Sequence, residues 1–118
     1  MPGLYAFPRD ERLTRRQDYL RIYRHGHKRA GRAFIVYGLR QPEQGRKFGF
    51  AVSRKTGKAV TRNRIKRYLR EFYRTHRAQL PEDLHLVVVA RPAAAAMRFD
   101  ECREALSRLL TEGGFWGA

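Results

Sequence analysis

The chain has 118 residues and a formal net charge of +15, with 26 lysines and arginines against 11 acids. This length suits one domain with a core of its own, and a hydrophobic fraction of 42% excludes a disordered basic tail. The single cysteine, Cys102, excludes an internal disulfide framework and predicts a small core residue in a cytoplasmic protein. No apolar run is long enough to span a bilayer, so we expect no membrane partner.

The charge is concentrated in one part of the chain. Residues 1–77 carry 22 lysines and arginines against five acids, whereas residues 78–118 carry four against six. Arginine, whose planar fork grips phosphate oxygens and stacks on bases, far outnumbers lysine. The first two thirds of the chain therefore predict a nucleic-acid-binding surface.

The elements predicted in the first half are one helix and two strands. Residues 1–11 have no period and predict an irregular arm ahead of a single domain at 12–112. A capping-box pattern from Thr14 predicts a helix as far as His25, with Gly26 as a left-handed stop. The residues 33–40 and 46–53 then read as strands, and the turn between them predicts a hairpin.

The second half predicts a helix, a strand and a final helix. Thr61 is a plausible cap for a helix that stops before Pro81, and the apolar residues 84–90 predict a strand covered on both faces. Asp100 can cap the last helix, after which residues 113–118 form a short tail. The whole is an α/β (α+β) two-layer sandwich, with about four strands and three helices in the order α-β-β-(β)-α-β-α.

The most informative stretch is the basic helix. Between Arg54 and Arg77 there are ten lysines and arginines and a single acid, Glu71. Helical spacing puts an apolar set on one side, namely Ile65, Tyr68, Leu69, Phe72 and His76. The other side receives a polar set, namely Asn63, Lys66, Arg67, Arg70, Arg74 and Arg77. Like charges four residues apart repel, so this face predicts an anionic partner, most simply a phosphate backbone.

The loop at 53–58 ends in Gly57-Lys58, but the spacing of its glycines does not match a Walker phosphate loop. A basic loop before a helix still suits a backbone phosphate of a longer nucleic acid.

Four aromatic residues of the first half, Tyr19, Tyr23, Phe34 and Tyr37, have two readings. Aromatic residues at these spacings are commonly core residues. Beside a cationic helix, they also suit single-stranded RNA, with bases stacked and phosphates paired. The pattern alone leaves both readings open.

The sequence contains few groupings of residues that could carry out catalysis. The four histidines, His25, His27, His76 and His85, show no metal-ligand spacing, and the basic half has too few acids for a two-metal nuclease site. His76 and His85 are predicted to be packed. The chain is expected to bind nucleic acid without cutting it by itself.

One motif resembles a known family. It is Arg62-Asn63-Arg64-Ile65-Lys66-Arg67 followed by Arg70-Glu71, and it is preceded by Phe48-Gly49-x-Ala51-Val52-Ser53-Arg54-Lys55. With the opening Arg12-Leu13 and Asp18-Tyr19 and the later Val87-Val88-Val89-Ala90-Arg91-Pro92, it is similar to the protein subunit of bacterial ribonuclease P.

The resemblance implies a left-handed β-α-β crossover around the basic helix, against the usual rule. It also implies a function: the protein partner of a catalytic RNA that uses Mg²⁺ to remove the 5′ leader from precursor tRNA, with no DNA partner expected. The residues implied to contact the catalytic RNA are Arg54, Lys55, Arg62, Asn63, Arg64, Lys66, Arg67 and Arg70. Those implied to form a leader cleft are Tyr19, Tyr23, Tyr37 and, as a further candidate, Phe34.

Two other functions remain open at this point. A ribosomal-type structural RNA-binding protein would share the charge, size and α/β form. A self-sufficient nuclease would need His25 or His27 for acid–base work, yet no residue in the sequence pairs with them for it.

Overall fold

The computed structural model describes residues 7–116, which form three helices and one four-stranded mixed sheet. The helices are α1 (Arg16–His25), α2 (Ala59–His76) and α3 (Phe99–Glu112). The strands are β1 (His27–Ala30), β2 (Phe34–Arg40), β3 (Lys47–Ala51) and β4 (Leu84–Ala90). The predicted fold class and helix count are confirmed. Within residues 7–116, no helix is long and apolar enough to cross a bilayer.

The sheet has the order β1-β2-β4-β3, so the predicted hairpin between residues 33–40 and 46–53 is wrong. β4 lies between these two strands, antiparallel to β2 and parallel to β3. The reason is burial: six of the seven residues of β4 are buried, and a strand this apolar takes a central place. The actual hairpin joins β2 to β1, whose four residues are all exposed at the edge of the sheet.

The unit β3-α2-β4 joins two adjacent parallel strands, and α2 supplies the long connection that such a pair requires. The left-handed sense of this crossover stays an expectation from the resemblance.

The two faces of the sheet pack against different helices. Alternation along β2 sends Phe34 and Val36 into the main core with α2 and α3. Tyr37 points to the opposite face, where it packs with Ile22 of α1 and Val87 of β4. The position of a side chain in the alternation along β2 therefore determines whether it packs against α1 or against α2 and α3.

The helices begin at other residues than predicted. α1 follows Arg15 and α2 follows Lys58, and neither start has a side-chain cap, so Thr14 and Thr61 do not cap them. α3 follows Arg98, whose backbone N–H donates to Glu101 at 3.0 Å, so Asp100 lies inside the helix. Packing of the apolar faces, more than capping, sets where these helices begin.

Gly26 does not form the predicted left-handed stop, because its φ is −77° and its ψ is 158°. Its role is close approach: a Cβ at this position would lie 2.5 Å from the carbonyl oxygen of Ile22 and 3.1 Å from that of Gly38. The missing side chain lets the end of α1 approach the strand β2.

Residues 7–11 are packed against the domain, and this corrects the prediction of an irregular arm for that part. Phe7 lies with its ring centroid 5.0 Å from that of Tyr73 and 5.8 Å from that of Phe48. Leu13 N donates to Phe48 O at 2.9 Å, which adds the segment to the edge of β3. The remainder of the predicted arm, residues 1–6, lies outside the described residues.

The predicted tail is also part of the core as far as residue 116. Phe115 is only 5% exposed and lies over Gly38, where a Cβ would come within 2.6 Å of the ring. Trp116 donates its indole N–H to Thr111 Oγ1 at 2.9 Å. Residues 117–118 lie outside the described residues.

The structure confirms that His76, His85 and Cys102 are packed within the protein, as predicted. His76 stacks on Phe72 with centroids 4.2 Å apart, and His85 is 1% exposed, with burial lowering the pKa of its ring. Cys102 lies on the buried side of α3, and burial raises the pKa of its thiol to about 11. These three side chains are structural.

One partly buried ion pair ties the amino-terminal segment to the end of α2. Glu11 accepts a hydrogen bond from Arg77 Nε at 2.8 Å and another from the Tyr73 hydroxyl at 2.6 Å. Burial opposes ionisation of this carboxyl, but the donors outweigh it and hold the pKa of Glu11 below its usual value of 4.5. Its contribution to stability is therefore present above pH 4.5 and is lost as the pH falls through the lowered pKa.

We expect Glu11→Gln to reduce the free energy of unfolding by about 1–3 kcal/mol at pH 7, because Arg77 loses its ionic partner. Urea denaturation at pH 7 and pH 3 measures this, and the difference from the wild type should shrink at pH 3. Glu104→Gln, an exposed carboxylate of α3, is the matched control. An equal effect of both substitutions at pH 7 would show that the pair contributes nothing specific.

Candidate RNA interface

The helix α2 is amphipathic as predicted. Its buried side consists of Ile65, Leu69, Phe72 and Tyr73. Tyr73 was missed, and its ring packs against Phe7 of the amino-terminal segment. The opposite side exposes Asn63, Arg67 and Arg70, while Arg62 and Lys66 are half-buried. A continuous cationic surface thus runs along the helix.

Arg64 differs from the other predicted contact residues because it is half-buried and engaged within the protein. Its Nη2 donates to the carbonyl oxygen of Ala95, in the turn Pro92–Ala96. The Nε atoms of Arg62 and Arg64 are buried, and neither finds an acceptor among the described residues. Arg64 therefore holds α2 against this turn.

Arg54 and Lys55 are exposed on a short turn, Arg54–Thr56, that packs against the beginning of α2. The turn is anchored by Thr56, which is buried. This places two more cations beside the amino-terminal end of the basic helix face.

Two arginines of α2 lie over aromatic rings. Arg67 lies 5.8 Å from the ring centroid of Tyr68, and Arg70 lies 5.4 Å from that of Phe50 on β3. Such contacts hold a guanidinium in place at little cost in solvation. Phe50 was not singled out in the sequence because nothing there shows that β3 adjoins this side of α2.

Three of the four predicted cleft residues form a row on the α1 face of the sheet. Tyr23 contacts Tyr37 with ring centroids 4.9 Å apart, and Tyr19 lies 6.3 Å from Tyr23. All three are half-buried around Leu13, Ile22 and Val87, so each ring is part core and part surface. The core reading is therefore confirmed in part, and the RNA-binding reading stays a prediction.

The hydroxyls of Tyr19 and Tyr23 stay protonated at neutral pH. Burial raises the pKa of Tyr19, and burial together with the neighbouring Tyr19 and Tyr37 raises that of Tyr23. Tyr19 donates its hydroxyl to Leu13 O at 3.3 Å. Tyr23 therefore presents a neutral hydroxyl, whereas that of Tyr19 is engaged within the protein.

Gly49 makes room for Tyr19. A Cβ at Gly49 would lie 2.4 Å from the Tyr19 hydroxyl oxygen and 2.7 Å from Cζ. Only glycine lets this ring lie flat against the backbone of β3, and this contact brings α1 to the edge of the sheet.

Phe34 does not belong to the cleft, so its prediction as a leader-binding residue is wrong. Its side chain is 0% exposed and lies in the core beneath α2 and α3, on the opposite face of the sheet from Tyr37. The alternation along β2 separates Phe34 from Tyr37, but the sequence does not show which face remains open. Lys28 of β1 was missed instead: its Nζ lies 5.8 Å from the ring centroid of Tyr37.

The cationic helix and the tyrosine row meet at the edge strand β3. A concavity of about 280 Å³ is lined by Tyr19 of α1, Phe50 of β3 and Arg70 of α2, with Phe7 and Arg12 from the amino-terminal segment. We refer to it as the edge pocket. It places aromatic rings and guanidinium groups around one space.

The described residues offer no evident metal site. Among residues 7–116, no group of three or more histidines, cysteines or carboxylates comes together. His25 and His27 are exposed, and the His27 ring lies 5.1 Å from that of Phe115.

The fold and this site define a small α+β protein in which a cationic helix and an aromatic cleft share one sheet edge. The family model described as Ribonuclease P matches residues 7–113. The chain therefore belongs to the ribonuclease P protein family, whose place is in tRNA processing, and the resemblance seen in the sequence is confirmed.

Relatives and solved structures agree with this assignment. The ribonuclease P protein component of Dictyoglomus turgidum is 40% identical over 115 residues, covering 95% of this chain and 96% of that protein. That of Desulfovibrio desulfuricans is 42% identical over 107 residues, covering 89% and 82%. The RNase P protein of Staphylococcus aureus matches with a TM-score of 0.84 at 32% identity, covering 91% of this chain and 98% of that one. The Thermotoga maritima protein matches with a TM-score of 0.76 at 32% identity, covering 86% and 96%.

Proposed function

We propose that this chain is the protein subunit of the ribonuclease P ribonucleoprotein, which removes the 5′ leader from precursor tRNA in the cytoplasm. The protein binds the catalytic RNA and the leader and assists the binding of substrate and Mg²⁺. The RNA subunit carries out the hydrolysis of the phosphodiester bond.

The observation that carries this proposal is the edge pocket. It joins Tyr19, which begins the tyrosine row, to Arg70, which belongs to the cationic face of α2. A single RNA strand needs such a combination, because its bases stack on aromatic rings while its phosphates pair with guanidinium groups.

The face of α2 is proposed to contact the catalytic RNA. The contact residues are Arg54, Lys55, Arg62, Asn63, Arg64, Lys66, Arg67 and Arg70. Lys66/Arg70 and Arg70/Arg74 are pairs of like charges four residues apart, and Glu71 is the only acid on the helix. Glu71 pairs with Arg74, so the repulsion falls mainly on Lys66 and Arg70, and phosphate oxygens would relieve it.

The row of Tyr19, Tyr23 and Tyr37 is proposed to hold the leader. The rings lie at the surface of α1 and β2 in a continuous series, which suits consecutive unpaired bases. The Tyr23 hydroxyl is neutral and can donate to a phosphate or sugar oxygen without repelling the strand.

Mg²⁺ is proposed to be held by the RNA. Within the part of the chain that the structure describes, no cluster of carboxylates and imidazoles forms a ligand set. The cations of α2 neutralise nearby phosphates, which lowers the repulsion between the catalytic RNA and its substrate. The chain alone is proposed not to hydrolyse the phosphodiester bond.

The alternatives account for fewer observations. A ribosomal-type structural protein needs the cationic helix but has no use for a row of half-exposed tyrosines. A nuclease based on His25 or His27 needs a paired acid, and neither imidazole has a carboxylate partner among residues 7–116.

We expect the purified protein alone to leave precursor tRNA intact, and to stimulate cleavage when it is added to the cognate RNA subunit at low Mg²⁺. A titration of protein against the rate of 5′-end formation measures this. Cleavage kinetics that do not change across the titration would refute the proposed function. Cleavage by the protein alone would favour the nuclease alternative.

We expect Arg67→Ala to weaken assembly with the catalytic RNA and to reduce its salt dependence, by roughly 0.7–0.9 in log–log slope for each phosphate that the side chain neutralises. Binding of labelled RNA at several salt concentrations gives the slope. Arg103→Ala, which removes an exposed arginine of α3, is the matched control. If the slope is the same for both variants, Arg67 does not contact phosphate.

We expect Tyr23→Ala to weaken binding of precursor tRNA relative to mature tRNA by about 1–3 kcal/mol, because one stacked base loses its platform. Tyr23→Phe keeps the ring and should retain most of the discrimination. The measurement is the ratio of the two dissociation constants for the holoenzyme. Equal losses for both RNAs would mean that Tyr23 serves only the core around Ile22.

A further inference from the structure

A second concavity, of about 590 Å³, lies at the amino-terminal end of α1. Five cationic side chains line it, from the amino-terminal segment, α1 and the beginning of β3. They are Arg9, Arg12, Arg15, Arg21 and Lys47. Asp18 is the only acid in the lining. We refer to it as the amino-terminal pocket, and none of its residues belongs to the cationic face of α2 or to the tyrosine row.

The positive charge of this pocket is not neutralised within the described protein. Asp18 pairs with Arg21 at 3.0 Å, which accounts for the one carboxylate. Lys47 donates to the carbonyl oxygen of Asp10 at 2.8 Å, a contact that leaves its charge uncompensated. Arg9 and Arg15 are exposed, and their side chains have no hydrogen bond or ion pair among residues 7–116.

Folding itself brings these charges together. The parallel bridge between Arg12 and Phe48 sets the amino-terminal segment beside β3, and α1 begins directly afterwards. Like charges from separate segments converge here at an electrostatic cost that an anion would remove.

The lining indicates which part of a ligand would bind. None of the described side chains around the pocket is aromatic, whereas the edge pocket contains Phe7, Tyr19 and Phe50. Guanidinium and amide groups without rings suit phosphate oxygens rather than bases.

The two pockets are continuous. Arg12 and Thr14 line both of them, so the amino-terminal pocket adjoins the space between Tyr19 and Arg70. A strand that leaves the edge pocket past Arg12 reaches the amino-terminal pocket, whose lining contains one acid, Asp18.

We propose that the amino-terminal pocket is a third RNA-binding site, which holds phosphates of the strand that runs past the edge pocket. This inference rests on the proposed function and extends it. The ligand is an RNA phosphodiester backbone recognised without reading its bases. The strand is either the precursor leader beyond the tyrosine row or a segment of the catalytic RNA, and the experiment distinguishes the two.

The test uses the reconstituted holoenzyme with the double variant Arg9→Gln/Arg15→Gln. The matched control is Arg103→Gln/Arg108→Gln, which removes the same charge from exposed positions of α3. Arg9→Lys/Arg15→Lys keeps the charge and should retain binding. Thermal unfolding of each variant verifies the fold, which we expect to persist because neither arginine has a side-chain partner among the described residues.

Two affinities are measured over a range of salt concentrations: that of the protein for the catalytic RNA, and that of the holoenzyme for mature tRNA and for precursors with leaders of increasing length. If the strand is the leader, the glutamine variant loses affinity only for longer leaders, with a slope lower by about 1.4 for two single-strand contacts. If it is the catalytic RNA, assembly weakens and every substrate is affected equally.

The proposal is overturned if the glutamine variant matches the α3 control in both affinities and both slopes. This result is distinguishable from failure of the proposed function, in which the wild-type protein itself would not stimulate the RNA subunit.

Discussion

The rest of the structure depends on the burial of β4. This strand is covered on one face by α2 and α3 and on the other by α1, and its hydrogen bonds are shared between β2 and β3. A strand with two apolar faces cannot lie at an edge, because one row of its backbone groups would be exposed with its side chains. β1 and β3 therefore form the two edges of the sheet, and helices are required on both of its faces.

The edge position of β3 brings the candidate surfaces together. α1 and α2 lie on opposite faces of the sheet, so the tyrosine row and the cationic helix would be separated if β3 were central. At the edge, the missing side chain of Gly49 leaves room for the ring of Tyr19 on one face of the sheet. On the other face, the guanidinium of Arg70 lies over the ring of Phe50. The amino-terminal segment closes the same edge through Phe7 and the ion pair of Glu11 with Arg77. The segment that was expected to be an arm thus completes the site.

Much of the fold and site could be predicted from local patterns. Helical spacing separates Ile65 and Leu69 from Arg67 and Arg70, and the period of two along β2 separates Phe34 from Tyr37. The predictions that proved wrong depend on packing between segments distant in sequence. The hairpin was misassigned because β4, more than thirty residues further along the chain, inserts between its strands. Phe34 was misplaced because alternation defines two faces without saying which one the helices α2 and α3 cover.

By itself, the sequence determined the family motif, the amphipathic basic helix, the number of helices and the concentration of positive charge, since these follow from residue type and short-range periodicity. Only the tertiary structure decided the order of the strands, the burial of Phe34, the anchoring of Arg64 and the convergence of Arg9 and Arg15 with Lys47. The physical reason is that local propensity acts over a few residues, whereas these features are set by which apolar surfaces cover one another across the whole chain.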